Sequence, residues 1–260
     1  MMWQSHNPKH FWDLLAELTK REIKARYKQS ILGYAWVILV PILNLIVLTV
    51  VFSYFIRVPT GGTPYVIFLF TGLVPWTFTA NSISSATQSV VSNTSLITKI
   101  YLPREIFPIA TILAKMVDFL LTCLVLIVLL IIFKVPFRYT MLFIPVIFFF
   151  HFLLVLGISF FLSAVNVFFR DVENVIGVFL TIWMYVTPVL YPQELIPPRL
   201  VPFFNLNPMM PIINAYRNTI LYGRMPPWQS FTYAIGISVL IFVLGYKFFK
   251  NRARYFADVI

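Results

Sequence analysis

The sequence predicts an all-α integral membrane protein. It has six transmembrane helices, an N-terminal amphipathic interface helix, and two short re-entrant helices between spans five and six. Three observations predict this. First, 60% of the 260 residues are hydrophobic and only 11% are charged, whereas a soluble domain carries about 25% charged residues. Too little polar surface remains to cover a water-soluble globule. Second, six apolar stretches approach the length of roughly 20 residues that a helix needs to cross about 30 Å of hydrocarbon. Third, the basic residues collect on alternate connections, as the positive-inside rule requires of a multi-pass chain.

Each element follows in order. Residues 1–30 form a cytoplasmic interface segment, and 31–260 form one six-span domain. From residue 8 to 30, Phe11, Leu14, Leu15, Leu18 and Ile23 recur near helical spacing among Lys20, Arg21, Lys24, Arg26 and Lys28. A basic amphipathic helix of this kind lies in the interface plane. Some thirty mixed polar residues before the first apolar run are not the pattern of a signal peptide. The spans are 32–56, 65–91, 109–133, 141–168, 175–191 and 229–249. Span two turns polar midway: twelve of the seventeen residues from Thr79 to Ser95 are Ser, Thr, Asn or Gln. Such groups need partners in lipid. They read either as close interhelical packing or as an uncharged, hydrogen-bonding wall suited to sugars. Span five is short and ends at Thr187-Pro188. Residues 191–228 hold eight prolines, which forbid one straight helix. They read as two short helices, 194–203 and 209–221, dipping into the outer face, so that 192–228 is a candidate external gate.

With the N-terminus in the cytoplasm, thirteen of the twenty Lys and Arg residues fall inside and six outside, Lys115 lying within span three. Both termini are then cytoplasmic. The net charge of +11 is mostly topological, not the footprint of a nucleic-acid partner.

The missing chemistry is equally informative. No Gly is followed by Lys, so the chain has no GxxxxGK[ST] phosphate loop. It binds no cofactor on this reading and has no catalytic residue. One cysteine, Cys123, makes neither an internal disulfide nor a metal site. Lys115 and Asp118, three apart on one helix face, read as a structural pair. His151 reads as hydrogen-bonded within the bundle rather than as a proton carrier. These few groups leave a proton-coupled transporter weakly supported. Asp171 and Glu173 could hold a metal in a membrane glycosyltransferase, but helix ending and salt-bridging is the simpler role.

The aromatics gather towards the outer half: Tyr65, Phe68, Trp76 and Phe78 on span two, and Trp183, Tyr185 and Tyr191 on span five. They form an interfacial belt or line a path for a large amphipathic ligand.

Several motifs together resemble one family. Arg21-Glu22-Ile23-Lys24-Ala25-Arg26-Tyr27-Lys28, followed by Leu32-Gly33 and Trp36, is similar to the approach to span one in ABC-2 type exporter permeases. Leu96-Ile97-Thr98-Lys99-Ile100-Tyr101-Leu102-Pro103-Arg104-Glu105 resembles their loop between spans two and three. Gly72-Leu73-Val74-Pro75-Trp76, Phe169-Arg170-Asp171-Val172-Glu173-Asn174, Thr187-Pro188-Val189-Leu190-Tyr191-Pro192 and Asn207-Pro208-Met209-Met210-Pro211-Ile212-Ile213-Asn214-Ala215-Tyr216-Arg217 match in order. The resemblance is to the polysaccharide-exporting branch (O-antigen, teichoic acid, capsule).

It implies a homodimer in the bacterial inner membrane that moves a lipid-linked glycan. It also implies two copies of a separate nucleotide-binding ATPase, which holds the ATP and Mg. Docking on that ATPase would fall on Asp13, Glu17, Arg21, Lys99, Tyr101 and Arg104. The substrate channel would be lined by Trp76, Phe78, Tyr185 and Tyr191. The lipid pyrophosphate would arrive from the cytoplasm near Arg26 and Lys28. Export of a drug or a lipid is the alternative within the same family.

Overall fold

A computed structural model describes residues 8–27, 33, 35–99 and 102–259. Every regular element among these residues is helical: α1 (Pro8–Tyr27), α2 (Ala35–Phe55), α3 (Tyr65–Gln88), α4 (Thr94–Lys99), α5 (Ile106–Ile132), α6 (Tyr139–Phe168), α7 (Val172–Val186), α8 (Val201–Asn205), α9 (Met209–Arg217), α10 (Trp228–Ala253) and α11 (Phe256–Val259). The bundle has a basal end, which holds α1, α4 and α11, and a distal end, which holds the segment 187–227.

Five helices, α2, α3, α5, α6 and α10, are long and apolar enough to cross a membrane. The helix in the place of the fifth span, α7, is apolar but has only 15 residues, about 22 Å of rise against about 30 Å of hydrocarbon. It starts three residues earlier than the pattern 175–191 suggests and stops at Val186. Thr187 goes extended (φ −94°, ψ 132°) because the ring of Pro188 disfavours helical backbone in the residue before it.

The least apolar of the five long helices, α3, is the most buried. This inverts the order of a soluble protein. In lipid, a polar side chain is driven inward to find a partner. Much of the polar half of α3 answers the need with its own backbone. Thr79 donates to Pro75 O (3.0 Å), Thr87 to Ile83 O (2.8 Å), and Ser89 to Ala86 O (2.7 Å). These hydroxyls are buried, while Asn81, Gln88 and Ser92 remain exposed. The inner face of this stretch is buried, but its hydroxyls bond mostly within α3, with Thr79 also meeting His151 of α6 (2.7 Å) and Ser82 finding no partner among the described residues.

α6 and α10 cross at two glycines. A Cβ on Gly157 would stand 2.5 Å from Phe242 Cα, and one on Gly245 would overlap the Gly157 carbonyl. Small residues that let backbones meet are the means by which helices associate in lipid.

The distal segment departs from expectation in its first half. In place of a helix over 194–203 there is a single tight turn, Gln193–Leu195, and then α8, five residues long. Pro197, Pro198 and Pro202 remove the donors that a longer helix needs. The second half is helical as expected. α9 buries eight of its nine residues, runs on as a wider π turn (Asn218–Tyr222), and ends on Gly223 at φ +62°, the left-handed stop that glycine supplies without strain.

Candidate functional site

Two constellations stand out, one at each end. The distal one begins with a problem of unpaired backbone. Where α7 breaks, the carbonyls of Pro188 and Val189 have no helical donor. Arg217, the last residue of α9 and 3% exposed, supplies it. The guanidinium donates to Pro188 O and Val189 O (2.6 Å each) and reaches Phe68 O on α3 (3.5 Å). Its Cζ lies over the Phe68 ring, 3.7 Å from the ring centre. A guanidinium stays charged at all physiological pH and offers five donors in a fixed fork. Room for it exists because residue 72 is glycine: a Cβ there would stand 2.7 Å from Arg217 Nη2.

Asn207 completes the knot. Its amide oxygen accepts from Trp183 Nε1 (2.9 Å) and from the Met209 N–H (3.0 Å), while its amide nitrogen donates to Thr187 Oγ1 (2.8 Å). Tyr65 OH donates to Leu190 O (2.7 Å). One layer below, His151 on α6 sits between Thr79 Oγ1 (2.7 Å) and Tyr216 OH (3.4 Å). Three sequence motifs far apart in the chain, around Gly72, Thr187-Pro188 and Asn207 to Arg217, thus meet in one cluster. Sequence reasoning placed Arg217 among the six outer cations and at the end of a family motif, without a role of its own. The available signal was a cation inside an otherwise apolar, motif-bearing stretch.

The four aromatic residues expected to line a channel divide into two pairs. Trp76 is buried edge-on against Trp183 (5.6 Å between ring centres). Phe78 is buried among Phe119 (5.1 Å), Phe148 (5.6 Å) and His151 (5.5 Å). Tyr185 is exposed, Tyr191 is half-buried, and the Tyr191 hydroxyl donates to Tyr185 O (2.7 Å). Within one chain, the tyrosine pair offers open ring surface, whereas Trp76 and Phe78 are packed inside the bundle.

At the basal end, α1 lies across α5 with Leu15 and Leu18 buried. Asp13, Glu17 and Arg21 are on its exposed face. Lys20 donates to Glu17 (2.7 Å), and this bond lowers the Glu17 pKa and raises that of Lys20. Arg21 donates to Asn93 Oδ1, fastening α1 to the turn between α3 and α4. Arg26 falls in the last turn of α1 and Lys99 is the last residue of α4. Lys28 and Tyr101 lie outside the described residues.

Arg104 is half-buried, 5.9 Å from the Phe256 ring centre. Phe256 is fully buried and packs on Phe249 (5.4 Å) and Phe168 (6.1 Å). Lys250 pairs with Glu105 (2.6 Å). The C-terminal helices therefore brace the segment between α4 and α5, a support that sequence reading did not anticipate. Asp171 and Glu173 are both exposed at the start of α7. Among the described residues no group of three or more His, Cys, Asp or Glu is placed to hold a metal ion.

A helical bundle whose most polar long helix is its most buried is a multi-pass membrane protein. The chain belongs to the ABC-2 type transporter family, whose sequence profile matches residues 13–221. It is 29% identical over 250 residues to an O-antigen export system permease protein, RfbA, of Myxococcus xanthus, covering 95% of both chains. It is also 29% identical over 257 residues to the RfbA permease of Klebsiella pneumoniae, covering 98% of both. Likeness to the polysialic acid transport protein KpsM of Escherichia coli is 24% over 238 residues, covering 89% of this chain and 90% of the relative.

Proposed function

We propose that this chain is the membrane-spanning subunit of an ATP-driven exporter. Its cargo is a lipid-linked polysaccharide, O-antigen-like or teichoic-acid-like, carried from the cytoplasm to the outer face of a bacterial inner membrane. One observation carries the proposal: the end-to-end likeness to two O-antigen export permeases, over 95% and 98% of both chains.

The finer reading draws on the geometry. α7 with residues 187–191 is the fifth of six spans, and the positive-inside bias puts the basal end in the cytoplasm. Lacking a phosphate loop, the chain takes its energy from a separate ATPase that holds the ATP and Mg. The exposed face of α1 (Asp13, Glu17, Arg21) and the 99–104 segment (Lys99, Tyr101, Arg104) dock on that ATPase. Arg26 and Lys28 meet the lipid pyrophosphate. The exposed apolar faces of α2 and α7 suit a closed homodimer, with Tyr185 and Tyr191 on the path between copies and Trp76 and Phe78 packed inside each copy. The distal segment 192–228 is the external gate.

Depleting the chain in its host tests the proposal. Finished lipid-linked polymer should accumulate on the cytoplasmic side. Loss of the polymer altogether would replace export with synthesis, and normal delivery would remove polysaccharide as the cargo.

A further inference from the structure

α11 is only four residues long, too short to hold its helical form unaided, yet its first residue, Phe256, is fully buried. The Phe256 ring meets groups from three parts of the chain. They are Phe249 on α10 (5.4 Å), Phe168 at the end of α6 (6.1 Å) and the Arg104 guanidinium (5.9 Å). Phe249 packs in turn on Phe160 of α6 (5.2 Å). Farther along the same pair, Gly157 and Gly245 bring the α6 and α10 backbones into contact. One side of this clasp is therefore rooted in the most closely packed helix pair of the bundle.

The other side has little structure of its own. Leu102, Pro103, Arg104 and Glu105 form neither helix nor strand. Their backbone bonds are local: the N–H groups of Ile106 and Phe107 donate to Pro103 O (3.1 Å) and Arg104 O (3.3 Å). A stretch of this kind takes its position from side-chain contacts. Two of these come from the C-terminal helices: Arg104 on the Phe256 ring, and Glu105 accepting from Lys250 (2.6 Å). The ion pair is the more exposed of the two and is worth little by itself. The buried aromatic ring carries the larger share.

Phe168 extends the reach of the clasp. Phe169 still donates its N–H to Val165 O (2.9 Å), so the connection leaves as a continuation of α6. Only residues 169–171 separate Phe168 from the start of α7. The segment 102–105, the end of α6 and the base of α7 are thus linked through one ring.

We propose that Phe256 is a positioning residue for energy coupling. It holds the ATPase-docking segment against the α6–α10 pair and passes the displacement of that segment through Phe168 to the base of α7. This rests on the proposed function, in which 99–104 meets the ATPase, and it adds the element that carries the push into the membrane domain.

The test compares wild type, Phe256→Ala and Phe256→Leu, each as the whole chain with its ATPase in inside-out membrane vesicles. Lipid-linked glycan extracted from the same host is the cargo. The readout is glycan exported per ATP hydrolysed by the assembled complex, a ratio that a smaller amount of folded protein does not change. Phe256→Ala should lower it about five-fold, the low end for coupling between sites. Phe256→Leu keeps apolar volume without the ring face and should fall between. Hydrogen exchange of the full chain is the second readout. In Phe256→Ala the Ile106 and Phe107 amides should exchange several-fold faster, while amides around Gly157 keep their wild-type protection.

A wild-type export ratio in both variants would leave Phe256 a packing residue and overturn the proposal. Unchanged exchange at Ile106 and Phe107 would overturn it equally, and so would faster exchange throughout, Gly157 included. If Phe256→Ala does not assemble, Phe256→Leu decides: a lowered ratio upholds the relay and a wild-type ratio overturns it. Absence of ATP-driven export by wild-type vesicles would remove the proposed function instead, and the exchange at Ile106 and Phe107 would still decide whether Phe256 positions the segment.

Discussion

Arg217→Met is the perturbation most fully determined by the structure. It keeps much of the side-chain volume and removes every donor. The carbonyls of Pro188 and Val189 lose their guanidinium donor at a buried site. An orphaned buried acceptor costs about 1–3 kcal/mol, so the pair costs about 2–6 kcal/mol. Loss of the guanidinium from the Phe68 face adds about 2 kcal/mol at a desolvated site. Relief of a buried charge offsets part of this, leaving a net destabilisation of about 3–5 kcal/mol, within the range for broken buried polar networks. Arg217→Lys keeps the charge but not the planar fork, and should fall between wild type and Arg217→Met.

The assay is thermal unfolding of the purified protein in detergent, with protease cutting of residues 192–207 as a local readout. Arg217→Met should lower the midpoint by roughly 10 °C and open that segment to cleavage. Gly72→Ala should act on the same contact, because its Cβ would stand 2.7 Å from Arg217 Nη2 and 3.2 Å from Val189 O. Its effect should shrink in the Arg217→Met background, with a coupling of at least about 0.5 kcal/mol. An Arg217→Met protein as stable and as protease-resistant as wild type would refute the clamp. Strict additivity of the two substitutions would refute their shared contact.

Three further predictions follow from the same geometry. Gly157→Ala should prevent α6 and α10 from closing, because the new methyl meets Phe242 backbone rather than a movable side chain; loss of monodisperse protein on size-exclusion chromatography checks it, and normal yield and stability would contradict it. Asn207→Leu removes one donor and one acceptor that together serve Trp183, Thr187 and Met209; the expected cost is about 2–4 kcal/mol, read as a lower unfolding midpoint with a changed Trp183 fluorescence. Arg21→Gln weakens the link from α1 to Asn93; ATP-driven glycan export should fall several-fold while membrane insertion, judged by alkali extraction, stays normal.

The helical class and the places of the long spans were legible because they follow from composition and length, which act residue by residue. The N-terminal amphipathic helix was legible for the same reason: Leu15 and Leu18, picked out by spacing, are buried. Three features were not legible. The stop of α7 at Val186 depends on one pre-proline residue, and the apolar pattern continues past it to Leu190. The helix expected over 194–203 failed because apolar side chains there suggested burial, while Pro197, Pro198 and Pro202 control the backbone. Arg217 was hidden because its partners are carbonyls, which no side-chain pattern reveals. The polar run of span two was half legible. Its composition showed that partners were needed, and only packing showed that Thr87 and Ser89 turn to their own helix while Asn81 remains exposed.

The two ends of α7 are held differently, and this bears on how it can move. Its distal end is tied by Asn207 and Arg217 through buried hydrogen bonds, which water and salt do not reach. Along its length α7 stands off from α6 and α10 across an apolar groove of about 1,000 Å³ lined by Phe161, Val175, Phe179 and Leu244 among others. Only Ile176 and Leu180 are buried within the helix. At its basal end, among the described residues, none of Arg170, Asp171, Glu173 and Asn174 makes a side-chain hydrogen bond or ion pair to another helix, so the start of α7 has no counterpart to the distal knot. A helix pinned at its top, loosely packed along its shaft and weakly held at its base pivots about the pinned end. In the exporter reading, force from the ATPase arrives at the weakly held base. The small displacement then occurs at the clamp and the large one beside the basal mouth, so the path would open from the cytoplasmic side first.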